Sequence, residues 1–210
     1  MTPLFKSGKM AGVDIFALLI IAAGYLIGSI PFGYLIPKIW NIDVRHYGSG
    51  NIGATNVFRT LGPLLGIFVF ILDIAKGTLA IYLAQQTMDA PLVIVLTGLA
   101  ALLGHMHSVF LKFKGGRGAA TGLGVLLGVA PDIFLGALIL VVLIILITRY
   151  VSVASMIVPI LVAAAFFALK RPLPYSLASV LFAILIIIRH IPNIKRLLEK
   201  SEPRIGGKSA

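Results

Sequence analysis

The sequence predicts an all-α polytopic membrane bundle of about seven transmembrane helices, some of them short or broken, and three observations carry that expectation. Hydrophobic residues make up 59% of the chain and charged residues 12%, about half the charged share of an average soluble domain, near 25%. That composition excludes both a water-soluble globule and a disordered chain, which needs low hydrophobicity and high charge. Second, the apolar residues fall into long uninterrupted runs, and 210 residues accommodate about six to eight crossings at roughly 20 residues each. Third, Lys and Arg are distributed unevenly between the two sides that those runs define.

The first run, residues 15–37, is too long for a signal-peptide core and lacks a small-residue cleavage site, so it is read as a retained span. Further runs follow at 63–84, 92–111, 133–148, 150–169 and 174–190. Between the third and fourth of these six lies a shorter segment, AATGLGVLLGVA at 119–130. As a helix it covers roughly 18 Å of a hydrocarbon core of about 30 Å. It must therefore begin or end inside the protein, where irregular backbone is tolerated only if packed or facing a wet cavity.

Counting seven crossings places Lys38, Arg45, Arg59, Lys112, Lys114, Arg117, Arg149, Arg189, Lys195, Arg196, Lys200, Arg204 and Lys208 on one side, against Lys6, Lys9, Lys170 and Arg171 on the other. The positive-inside rule then puts the C-terminus in the cytoplasm and the N-terminus outside. The Lys170–Arg171 pair is the exception to this pattern. The chain divides into an N-terminal segment 1–14, a membrane domain 15–196 and a basic cytoplasmic tail 197–210.

In a chain this poor in polar side chains, polar clusters at the membrane boundary are informative, because each group must be hydrated or paired. Three clusters occur, all on the cytoplasmic side. The first, GSGNIGATNVFR at 48–59, places Gly48, Gly50 and Gly53 where the backbone can curl and turn successive N–H groups inward. Ser49, Asn51, Thr55 and Asn56 add short hydrogen-bonding groups and Arg59 a fixed charge. This is anion-nest chemistry. It lacks the Lys-Ser/Thr ending of a P-loop and the context of a dinucleotide fingerprint, so nucleotide binding is not supported.

The second cluster, GHMHSVFLKFKGGRGAAT at 104–121, interleaves Lys112, Lys114 and Arg117 with Gly115, Gly116 and Gly118 just before the short helix. A helix N-terminus with free N–H groups favours an anion such as phosphate. His105 and His107 have no carboxylate or cysteine beside them and read as packing residues, not metal ligands. The third cluster, RHIPNIKR at 189–196, holds Arg189, His190, Asn193, Lys195 and Arg196. The spacing of His190 and Asn193 puts both on one helical face. Asp73 and Lys76, inside the second run, are spaced to form a buried structural ion pair.

Three cationic, glycine-rich clusters set in apolar helices suggest a ligand with a phosphate head and an apolar tail. With only 7 Asp and Glu and no Cys in the chain, no metal site and no cofactor are expected, and catalysis by Mg²⁺ in a nest of aspartates is disfavoured.

The segments GSGNIGATNVFR, GHMHSVFLKFKGGRGAAT and RHIPNIKRLLEKSE resemble, in order and spacing, the three signature motifs of the bacterial acyl-phosphate-dependent glycerol-3-phosphate acyltransferases, from about residue 15 to residue 204. The resemblance implies an enzyme of phospholipid synthesis in the bacterial inner membrane, with its active site facing the cytoplasm. It would transfer a fatty acyl group from acyl-phosphate to the sn-1 hydroxyl of glycerol 3-phosphate, giving lysophosphatidic acid and phosphate. Its partners would be these two substrates and membrane lipids, with no nucleic acid and a monomeric chain. The expected catalytic residues are Ser49, Arg117 and His190. The expected substrate contacts are Gly48, Gly50, Asn51, Gly53, Thr55, Asn56, Arg59, Lys114, Gly115, Gly116, Asn193 and Arg196. One residue departs from the family pattern: the second motif usually ends in Lys, where this chain has Arg117, and a planar guanidinium does not replace an ammonium conservatively. The competing reading is an organophosphate carrier, against which the short, nearly uncharged outer loops at 85–91 and 131–132 weigh.

Overall fold

The computed structural model describes residues 15–206; the expected N-terminal segment and Lys208 lie outside the described residues. The described chain is all-helical: α1 (Ile15–Ser29), α2 (Phe32–Lys38), α3 (Ala54–Leu61), α4 (Pro63–Thr87), α5 (Pro91–Met106), α6 (Ala119–Val129), α7 (Pro131–Thr148), α8 (Val151–Ala168), α9 (Leu173–Arg189) and α10 (Ile191–Leu198). Four helices, α4, α5 with its following turn, α7 and α8, are each long and apolar enough to cross a membrane. The pairs α1–α2 and α9–α10 make two further bent spans. That makes up to six spans against the seven expected, because α6, with 11 residues, is apolar but too short to be counted as one.

The first apolar run, expected as a retained span, is two helices. It is broken between Ser29 and Phe32 and bent by 41°, because Pro31 has no N–H to continue the hydrogen-bond ladder. Proline also marks the starts of α4, α5 and α7, where an N–H would have lacked a partner anyway.

Helices in lipid gain little from hydrophobicity alone, so close packing over small residues does the work. α1 crosses α5 over Gly28 and Gly104, where an added Cβ would overlap the Ala101 and Tyr25 carbonyls. α4 crosses α6 reciprocally: Gly77 meets the Thr121 carbonyl and Gly124 the Ile74 carbonyl, while Thr78 Oγ1 donates to Gly124 O at 2.9 Å. α7, by contrast, packs mainly against α6 and α8 and leaves Leu135, Ile139, Leu143 and Ile147 exposed, as a lipid-facing helix should.

The exceptional outer cation Arg171 forms an ion pair with Asp132 at the start of α7, which neutralises one of the two charges that ran against the positive-inside pattern. Within the bundle, Lys76 Nζ stands 2.7 Å from Asp73 Oδ1, the ion pair anticipated from their spacing. Lys76 also donates to Ile30 O at 2.8 Å, at the break between α1 and α2, and contacts His105 Nδ1 at 2.9 Å.

The crossings make a direct prediction. Gly124→Val forces α4 and α6 apart and should cost about 2 kcal/mol, read as a fall of roughly 5 °C in the melting temperature in detergent. Gly136→Ala on the open face of α7, where no atom stands within 4 Å of the new Cβ, should leave it unchanged or slightly raised.

Candidate active site

The three motifs converge at one end of the bundle, where α3, the N-terminus of α6, the α7–α8 turn, the end of α9 and α10 meet around a cavity of about 360 Å³. Its polar end is lined by Ser49, Asn51, Gly53, Thr55, Asn56, Arg59, Arg117, His190 and Asn193. The cavity then continues between α6, α7, α8 and α9 past Leu123, Val141, Val158 and Val162 to Phe166 and Tyr175. The stretch of α8 from Ser152 to Phe166 measures about 21 Å at 1.5 Å per residue, longer than the roughly 15 Å of one leaflet. A cationic head site and an apolar tail groove are thus one continuous space.

The first motif forms a loop because Gly48 (φ 56°) and Gly50 (φ 68°) adopt left-handed backbone that a side chain would strain. Gly53 does not; its φ of −71° is ordinary, and it caps α3. Asn56 organises the loop from within. Its Oδ1 accepts from Ser49 N–H at 2.8 Å, and its Nδ2 donates to Val44 O and Tyr47 O. Asn51 Oδ1 accepts from Gly53 N–H at 3.1 Å. These bonds leave the Ser49 hydroxyl at the cavity with the first turn of α3 beside it.

In the second motif the two glycines sit differently from their expected place among the substrate contacts. The Gly115 and Gly116 amides donate to Met106 O and His105 O at 3.1 and 3.0 Å, carbonyls left open where α5 ends. The Gly115 and Gly116 carbonyls accept from Arg189. Neither glycine lines the cavity, and the exposed Lys114 stands outside it as well. Arg117, the next residue, does line it.

Arg117 has no hydrogen-bonding or acidic partner among the described residues. Burial first, and the nearby cations Arg196 and Arg59 after it, push its guanidinium down to about 10 against the opposing pull of Glu202. It therefore remains charged at neutral pH. Arg59 Nε and an Arg196 terminal nitrogen are likewise buried without hydrogen-bond partners. Guanidinium groups with open donors gathered at the polar end of a cavity can receive an anion.

The third motif turns at His190, where α9 and α10 meet at 55°. His190 Nδ1–H donates to Ile186 O at 2.8 Å, and since a carbonyl can only accept, the ring's lone pair belongs to Nε2. Asn193 Nδ2 donates to Glu202 Oε1 at 2.8 Å, while its buried Oδ1 has no partner. Arg196 does not line the cavity; its Nε is held at 2.7 Å by Glu202 Oε2.

Glu202 is the residue that sequence reasoning missed. The chain after α10 folds back: Arg59 donates to Pro203 O at 3.0 Å, Ile205 N–H to Arg149 O at 2.8 Å, and Arg204 to the Tyr150 hydroxyl at 2.9 Å. This return buries the Glu202 carboxylate among the arginines. Burial would raise its pKa, but the hydrogen bonds from Arg196 and Asn193 prevail and hold it below the ordinary carboxylate value. The available signal was the pair of glutamates, Glu199 and Glu202, that follows Asn193 in an acid-poor chain. No group of three or more His, Asp or Glu side chains arranged to hold a metal ion occurs among the described residues.

Comparison with known proteins gives the family. The family model described as glycerol-3-phosphate acyltransferase matches residues 18–200. The Geobacter sulfurreducens glycerol-3-phosphate acyltransferase is 44% identical over 191 residues, covering 89% of this chain and 96% of that protein. The Geobacillus kaustophilus glycerol-3-phosphate acyltransferase is 42% identical, covering 89% and 95%. Crystal structures of PlsY, an integral membrane glycerol 3-phosphate acyltransferase, superpose with TM-scores of 0.87 for the glycerol 3-phosphate form and 0.84 for the lysophosphatidic acid form. Each is 42% identical in sequence; they cover 91% and 90% of this chain and 96% and 95% of their own. The chain belongs to the glycerol-3-phosphate acyltransferase family of integral membrane enzymes.

Proposed function

We propose that this enzyme transfers a fatty acyl group from acyl-phosphate to the sn-1 hydroxyl of glycerol 3-phosphate, at the cytoplasmic face of the bacterial inner membrane and as a monomer. The observation that carries this reading is the single cavity in which unpartnered guanidinium donors stand at the mouth of an apolar groove. A phosphate bonded to a fatty acyl chain has that shape and charge.

In the reaction, the substrate hydroxyl oxygen attacks the acyl carbonyl carbon, a tetrahedral adduct forms, and the bond from that carbon to the phosphate oxygen breaks. The leaving phosphate is already a stable anion and needs little help from a general acid. Stabilising charge is the larger task, and fixed donors in a water-poor site are suited to it. Ser49, the N–H groups at the start of α3 and Arg117 hold the donor phosphate and the charge that develops on the carbonyl oxygen. His190 and Asn193 hold glycerol 3-phosphate, with Asn193 Oδ1 open to accept a hydrogen bond from a substrate hydroxyl. Arg196, fixed by Glu202, adds its remaining donors, Arg59 lies between the two phosphates, and Lys114 adds charge from the rim. Asn51 and Thr55 complete the polar wall. Gly48, Gly50, Gly53 and Asn56 shape the first loop, and Gly115 and Gly116 the second. The attacking hydroxyl gives its proton to a substrate phosphate oxygen, and inorganic phosphate departs.

Purified protein in detergent should release inorganic phosphate from palmitoyl-phosphate only when glycerol 3-phosphate is present. Turnover with another acyl donor and none with palmitoyl-phosphate would contradict the donor assignment. Ser49→Ala and Asn193→Ala should each lower kcat/KM by more than tenfold; wild-type rates would remove them from the site. Arg117→Lys should maintain or raise activity if the pocket tolerates a compact ammonium, and a tenfold loss would show that the fork geometry of arginine is required.

A further inference from the structure

The buried group Asp73, Lys76 and His105 is not used in the chemistry described above, although Asp73 and His105 line the wall of the same cavity and Lys76 stands behind them; a charged pair with side chains only 2% exposed is costly to keep out of water. Lys76 has three ammonium protons and three acceptors around it: Asp73 Oδ1 at 2.7 Å, Ile30 O at 2.8 Å and His105 Nδ1 at 2.9 Å. Because an ammonium can only donate, His105 Nδ1 is an acceptor and its proton lies on Nε2. The orientation of the ring is therefore set by Lys76.

That ring lies under the loop that carries Arg117. A Cβ on Gly116 would overlap the His105 imidazole, so the glycine Cα rests directly on it. The same loop is fixed on every polar group beside Arg117: its amides by the His105 and Met106 carbonyls, its carbonyls by Arg189. The imidazole is the support beneath it. Resting on the assignment of Arg117 to the reacting phosphate, we propose that Lys76 is a positioning residue, which acts through His105 to set the Gly115–Gly116 loop and thereby the Arg117 guanidinium.

A merely structural pair and a positioning pair differ in three measurable ways. Removing both charges together, Asp73→Leu with Lys76→Met, avoids an unpaired buried ion and should give a protein with an unchanged or raised melting temperature. Its kcat should nevertheless fall at least tenfold, with the KM for glycerol 3-phosphate moving less than threefold. On an Arg117→Gln background, the same pair removal should cost less than a further threefold, since the guanidinium it would have positioned is already gone. Finally His105→Asn, which keeps an amide oxygen where Nδ1 stands, should retain at least tenfold more activity than His105→Leu.

A folded double variant with wild-type kcat, losses that multiply on the Arg117→Gln background, or equal activity of His105→Asn and His105→Leu would each overturn the proposal. The His105 pair decides the matter where the double variant fails to fold or the Arg117→Gln background is too slow to measure. A wild-type rate in Arg117→Gln would instead overturn the active-site reading on which the proposal rests, so the two failures are distinct.

Discussion

The architecture answers to one constraint: several like charges must be kept together at the edge of a low-dielectric bundle without neutralising one another's use. Arg59, Arg117, Arg189 and Arg196 gather within the range of mutual repulsion, and each is treated differently. Arg189 is occupied by two backbone carbonyls, Arg196 by Glu202, Arg59 in part by Pro203. Arg117 alone among these four is left with no protein partner. The Glu202 carboxylate, buried beside these arginines, offsets some of the repulsion while two of its own hydrogen bonds keep it engaged, so the four arginines still outnumber it and fixed positive charge remains at the polar end. Anion binding is thus stored in the fold as an unsatisfied requirement.

Irregular backbone is the means by which that requirement is placed at membrane depth. α6 has only 11 residues, and its N-terminus, like that of α3, opens on the cavity. The broken first span and the bend at His190 work in the same way, because each exposes backbone carbonyls that a side chain then takes: Ile30 O by Lys76, Ile186 O by His190. α7 and α8 supply aliphatic side chains along the rest of the cavity, the wall that the proposed reading gives to the acyl chain. The cavity's polar end is thereby built on broken helices and its apolar stretch on long ones.

Much of this was legible in the sequence where the determinants are local. The apolar runs gave the membrane segments, and glycines interleaved with Arg and Ser marked the loops that curl toward one cavity. The i, i+3 spacing of Asp73 and Lys76 announced their ion pair. What escaped depended on contacts distant in the chain. His105 meets Lys76 from 29 positions further along the chain. Gly115 and Gly116 looked like phosphate donors because their amides appeared free, and only the end of α5 beside them shows that Met106 and His105 take both. Asn56 looked like a substrate contact, but the three bonds of its amide face its own loop. Glu202 was hidden by its position in a basic, polar tail, whose return across the site no local pattern encodes. The break at Pro31 lies inside an apolar run whose length alone, residues 15–37, marks a span without showing where it bends.

The central claim is that fixed charge and proximity, with the proton passing between substrates, replace a basic catalyst supplied by the protein. Its most direct test is the pH dependence of kcat for the unmodified enzyme and for His190→Asn, whose amide keeps a donor toward Ile186 O. The account predicts profiles of the same shape, displaced in height only, because the ionisation that matters belongs to a substrate phosphate. An acidic limb present in the unmodified enzyme and abolished in His190→Asn would contradict it and make the histidine the base.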